Sequence, residues 1–111
     1  MFCIRLESRK YPDSPTFIDG NGDRVAFKDC DVKWRLKNHF PHHVFECKKS
    51  ALKAWKAAKA RISSDDYPNT IRSSFWCRFG DDAPEKIADY IRDLLVRLEM
   101  AEIIHIDSVG A

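Results

Sequence analysis

The sequence predicts an α+β domain: a two-layer sandwich in which a mixed, mostly antiparallel sheet of five or six strands carries two helices on one face. Three observations lead there. Several short segments alternate apolar and polar residues with period two, the mark of strands with one buried and one wetter face. Residues 50–62 and 83–98 instead repeat apolar side chains at helical spacing. The alternation argues against a sheet covered on both faces, whose strands would read as continuous apolar runs. A doubly wound parallel fold is the alternative, suggested by the order of elements after Val44.

The elements follow in chain order. Phe2, Ile4 and Leu6 alternate with Cys3, Arg5 and Glu7, so residues 1–8 form the first strand. Arg9 to Pro15 holds two prolines and reads as a connection. Residues 16–19 and 24–28 flank Gly20-Asn21-Gly22-Asp23, the strongest turn signal in the chain, and form a β-hairpin. Val32 to Lys37 alternates strictly and reads as another strand, with a short helical turn as the alternative. Residues 38–43 are a Pro-containing loop, and residues 44–47 a short edge strand. Ser50 caps a helix to about Ile62, with Ala51, Ala54, Trp55, Ala58 and Ile62 on its buried side.

The C-terminal forty residues read as strand–helix–strand. In residues 70–79, Ile71, Phe75, Cys77 and Phe79 fall on one side, and Arg72, Ser74, Trp76 and Arg78 on the other. Asp82 and Glu85 have capping-box spacing, and Pro84 suits a first helical turn. Ile87, Ile91, Leu94, Leu95 and Leu98 then make one stripe. Residues 102–109 are β-branched and close the unit as a strand. Short loops favour a right-handed crossover between parallel strands.

A chain of 111 residues with 44% hydrophobic and 32% charged residues makes one folded domain, so disorder of the whole is excluded. No segment approaches the roughly 18–20 apolar residues of a membrane span. Residues 1–7 mix charges into an apolar run and carry no cleavage site of a signal peptide, so a cytoplasmic protein without membrane contact is expected. Cys3, Cys30, Cys47 and Cys77 form no CxxC pair and read as reduced thiols.

No Gly-rich phosphate loop, HExxH, GxSxG or nucleophile motif is present, and no cofactor is expected. The chain therefore reads as a small non-enzymatic interaction protein of the inhibitor or regulator kind. If the apolar strand positions meet the helices, Lys33, Arg35, Lys37, Arg72, Trp76 and Arg78 share a basic sheet face, the expected site for a protein partner. The bland reading is an ordinary solvated face. Nucleic acid is the alternative partner, on the same face or on the helix from Lys48 to Arg61, where Lys49, Lys53, Lys56 and Lys59 lack acidic neighbours.

A third reading, a His-assisted hydrolase or metal-binding protein, draws on His39, His42, His43 and Cys47, whose spacing fits no standard zinc motif. His105 and Asp107 would share one side of the last strand and face Arg72 or Arg78. Oligomeric state is open, with residues 44–47 and the last strand as candidate sheet edges.

Overall fold

A computed structural model describes residues 1–6, 15–27 and 31–109. Most of the connection predicted at Arg9–Pro15, and Lys28, Asp29 and Cys30, lie outside them. Four strands, β1 (Phe2–Leu6), β2 (Thr16–Ile18), β3 (Arg24–Ala26) and β4 (Glu102–His105), form one sheet in the order β3-β2-β1-β4, with every pair antiparallel. Four helices accompany it: α1 (Val32–His39), α2 (Lys48–Ile62), α3 (Tyr67–Phe79) and α4 (Ala83–Glu99). The α+β class stands. Among the described residues, the predicted five or six strands, mixed sheet and two helices are replaced by four strands, antiparallel pairing and four helices.

The hairpin β2–β3 forms where Gly20–Asp23 demanded a turn. Asp19 is buried because its carboxylate accepts from the N–H groups of Asn21 and Asp23, both at 2.9 Å, and Gly22 supplies the positive φ of 85°. β1 runs between β2 and β4, pairing Ile4 with Ile18 on one side and with Ile103 on the other. Phe45 adds one bridge to Phe2, with bonds of 2.7 and 2.8 Å, so the predicted edge strand at 44–47 is reduced to a single residue pair.

Period two along the strands separates two cores. Ile4, Leu6 and Ile18 point to one face, where α2, α3 and α4 contribute Ala58, Ile62, Tyr67, Leu94 and Leu98. Cys3 and Phe17 point to the other, where they meet Phe27, Val32, Leu36, Ile106 and Val109. The sheet is therefore covered on both faces, and α1 occupies much of the face expected to be wet. Arg5 remains exposed there.

Two segments predicted as strands are helices, for one physical reason. The inward-packing apolar residues of 70–79 are Ile71, Phe75 and Phe79, four apart, and those of α1 are Val32 and Leu36, also four apart. An interval of four satisfies period two and the i, i+4 spacing of a helix equally well. The caps decide. Asp31 accepts from the N–H of Trp34 (3.2 Å), and Pro68 sits in the first turn of α3, where its missing N–H costs nothing. With α3 helical, the predicted strand–helix–strand crossover is not formed among the described residues, and β4 returns antiparallel to β1.

Helix α2 begins at Lys48, with Ser50 inside its first turn rather than at the cap. The Ser50 hydroxyl accepts from the Cys47 N–H at 3.3 Å. Its predicted buried stripe is observed: Ala51, Ala58 and Ile62 are buried, and Ala54 and Trp55 half-buried. Trp55 donates its indole N–H to the Leu98 carbonyl (2.9 Å), satisfying an acceptor in the last turn of α4. Lys59 pairs with Glu99 and ties the same two helices. Helix α4 follows the predicted stripe, with Ile87, Leu94 and Leu98 buried, but Asp82 makes no side-chain cap bond.

Helices α3 and α4 form an antiparallel hairpin joined through Gly80. Among α3 residues only Tyr67 is buried; Phe75 and Phe79 pack on each other and Phe75 on Tyr90, with ring centroids 5.7 and 5.2 Å apart. The distal hairpin thus rests on its own aromatic contacts. The extents of 44 × 29 × 23 Å and a radius of gyration of 14.5 Å reflect this elongation, since a compact chain of this length has about 13 Å.

Candidate functional site

The six residues predicted to share a basic sheet face do not share one. Lys33, Arg35 and Lys37 lie on α1, and Arg72, Trp76 and Arg78 on α3, and these helices pack on opposite faces of the sheet. The sequence grouped them because both segments read as strands of one sheet. As helices, each presents its own surface.

On α1 the buried pair Val32 and Leu36 faces the sheet, leaving Trp34 54% exposed. In the strand reading Trp34 belonged with Val32 and Leu36 inside. It is the residue that sequence reasoning missed, and Asp31, placed to cap a helix three residues before Trp34, was the available signal. Arg35 and Lys37 flank it around the helix. Lys37, one turn from Trp34, stands on the same side. Trp34 and His39 meet edge-on at 5.3 Å, and the Asn38 amide donates to the Trp34 carbonyl at 2.8 Å. Lys33 pairs with Asp107, and that hydrogen bond holds the Asp107 carboxyl below its ordinary range. Arg35 and Lys37 form no ion pair among the described residues.

Beside Lys37 lies a cleft of about 360 Å³ lined by Met1, Lys37, Pro41 and Val44. Its walls are aliphatic and its rim is cationic.

On α3 the side turned away from α4 carries Asn69, Arg72, Ser73, Trp76 and Cys77, which line a wide, shallow depression. Trp76 is 39% exposed. Arg78 points elsewhere: it lies 5.3 Å over the Phe79 ring, which Lys86 also approaches at 5.7 Å. It steadies the hairpin.

The lysine helix is α2. Lys59 is engaged by Glu99 and by the Trp55 ring (4.6 Å), and Lys48 lies 5.9 Å over Phe2. Lys49, Lys53 and Lys56 remain as an exposed stripe at i, i+4, i+7 spacing, without an ion pair among the described residues.

The histidines do not assemble. His43 is buried and donates Nε2–H to the Asp23 carbonyl at 3.0 Å, with its ring against Phe40 at 5.9 Å, so it joins the short turn at Pro41–His43 to the hairpin. His39 and His42 are exposed, and Cys47 ends the approach to α2. Among the described residues no three His, Cys, Asp or Glu side chains are grouped to hold a metal ion. His105 and Asp107 do meet, at 3.3 Å, but the strand ends at His105 and Asp107 turns to Lys33 of α1, not to Arg72 or Arg78.

Cys3, Cys47 and Cys77 are free thiols; Cys30 lies outside the described residues. Burial pushes the Cys3 thiol from 9.0 up to about 11. The hydrogen bond with Ser50 lowers that of Cys47. Among the described residues no helix is long and apolar enough to cross a membrane.

The architecture defines a small α+β domain with a helical hairpin on one face of its sheet and a short cationic helix on the other. Compared with protein-family models, curated proteins and solved structures, the chain matches none.

Proposed function

We propose that this protein is a small interaction module that holds a protein partner on helix α1, through Trp34, Arg35 and Lys37. The observation that carries this reading is Trp34. A large indole is left more than half exposed between two cations that form no ion pair among the described residues, on a helix whose other side is fully committed to the core. Exposed Trp and Arg are the residue types that dominate binding energy when a partner covers them. The cations also steer an acidic partner during encounter.

The test is charge reversal of Arg35 and Lys37 to glutamate, followed by capture of partners from nuclease-treated host lysate. The double variant loses capture and keeps the wild-type melting temperature, because both side chains are exposed. Undiminished capture refutes the α1 site.

The stripe of Lys49, Lys53 and Lys56 favours a second reading, nucleic-acid binding through α2. That reading requires affinity for nucleic acid that falls steeply with salt, by roughly one log unit of affinity per log unit of salt for each phosphate neutralised. Absence of binding at low salt excludes it.

A further inference from the structure

We infer, building on the α1 reading, that the partner presents an acidic segment carrying one aliphatic side chain, which seats in the cleft between Met1, Pro41 and Val44 while its carboxylates meet Lys37 and Arg35. Two features select this occupant. From Val32 to Phe45 the chain holds Lys33, Arg35 and Lys37 and no acid. The nearby carboxylate, Asp107, is hydrogen-bonded to Lys33 and feels Lys37 only through space. Arg35 and Lys37, without an ion pair among the described residues, are therefore open to carboxylates of a partner. The exposed imidazoles of His39 and His42 add no negative charge to this surface.

The cleft beside Lys37 supplies the second feature. Its roughly 360 Å³ is bounded by methionine, proline and valine, near the lower limit of about 300 Å³ for sites that enclose a ligand. Aliphatic walls suit a branched aliphatic side chain. A nucleobase would stack on an aromatic platform, which Trp34 supplies and the cleft does not, so the cleft itself favours the aliphatic group. Lys37 borders both the cleft and Trp34, so one extended segment reaches all of them. The apolar anchor provides affinity, and the acids flanking it provide register.

The experiment titrates the full chain with three probes. These are a short synthetic peptide of Asp, Glu, Ser and Gly around a single Leu, the same peptide with Gly replacing Leu, and an oligothymidylate of equal charge. Burial of one Leu side chain makes the first peptide bind about tenfold more tightly than the second. The advantage disappears in Pro41→Ser and in Val44→Ser. Pro41 is exposed, so its variant keeps the fold even where Val44→Ser, at a half-buried position, does not. Equal affinity of the two peptides, or a Leu advantage that survives Pro41→Ser in a folded protein, overturns the cleft. The α1 reading still stands if Arg35→Glu with Lys37→Glu abolishes binding of both peptides. Peptide binding that ignores that double reversal overturns both. Tighter binding of the oligothymidylate than of the Leu peptide assigns the surface to nucleic acid and overturns the acidic segment.

Discussion

Replacing Leu36 by alanine lowers the melting temperature steeply, whereas replacing Trp34, two residues earlier, leaves it nearly unchanged. Leu36 is fully buried among Phe17, Phe27, Val32 and Ile106. Removing three side-chain carbons there forfeits their transfer energy and leaves a cavity, for a cost of about 3 kcal/mol. Unfolding entropy of about 2.1 cal/mol/K per residue, over 111 residues, amounts to about 0.23 kcal/mol/K. The Leu36→Ala drop is therefore about 13 °C. Trp34 is 54% exposed, and its change to alanine stays within about 0.5 kcal/mol, or about 2 °C. Thermal unfolding followed by far-ultraviolet circular dichroism measures both. If 32–37 were a strand, Val32, Trp34 and Leu36 would share one face and the larger Trp34 would cost at least as much. A Trp34→Ala drop equal to that of Leu36→Ala refutes the helical assignment of α1 and, with it, the exposed indole on which the proposed interaction rests.

Two further outcomes follow from single residues. Gly80 holds φ 58° and ψ −127° between α3 and α4. Among the described residues, no side chain or backbone beyond its immediate neighbours along the chain lies within 4 Å of where a Cβ would stand. Gly80→Ala therefore costs about 1–3 kcal/mol through backbone strain alone, read as a lowered urea midpoint with an unchanged slope; an unaffected midpoint contradicts that turn. Thiol alkylation of the native protein separates the cysteines. The thiolate is the reacting species, so exposed Cys47, with its lowered pKa, reacts far faster than Cys3, and its rate levels off below the ordinary pKa of 9.0. Cys3, buried and raised to about 11, stays unmodified until the protein is denatured. Labelling of native Cys3 as fast as Cys47, followed by mass spectrometry of the peptides, contradicts the packing of β1.

What the sequence determined by itself is local chemistry with a single physical solution. Gly20-Asn21-Gly22 flanked by β-branched and aromatic residues admits a hairpin and little else. The α4 stripe from Ile87 to Leu98 is long enough that only a 3.6-residue period fits it, and Ala51, Ala58 and Ile62 do the same for α2. Phe2 to Leu6 alternates with period two and Ile103-Ile104 is a short β-branched run, so both read as strands. The C-terminal strand was legible in kind but not in direction, because direction depends on what precedes it.

Tertiary structure decided the rest wherever the local pattern had two solutions. Val32 and Leu36, and likewise Ile71, Phe75 and Phe79, repeat at intervals of four, which a strand and a helix satisfy together. The caps Asp31 and Pro68 tip each segment towards helix, and packing holds that choice: Phe17 and Phe27 receive Val32 and Leu36 of α1, and Tyr90 receives Phe75 of α3. That choice also moved the candidate site. Two helices in place of two strands carried Arg35 and Lys37 to one side of the sheet and Arg72 and Trp76 to the other, and turned Trp34 from core to surface. Which side chain faces water is set by the rotation of its element against a neighbour, and period alone carries no information about that neighbour.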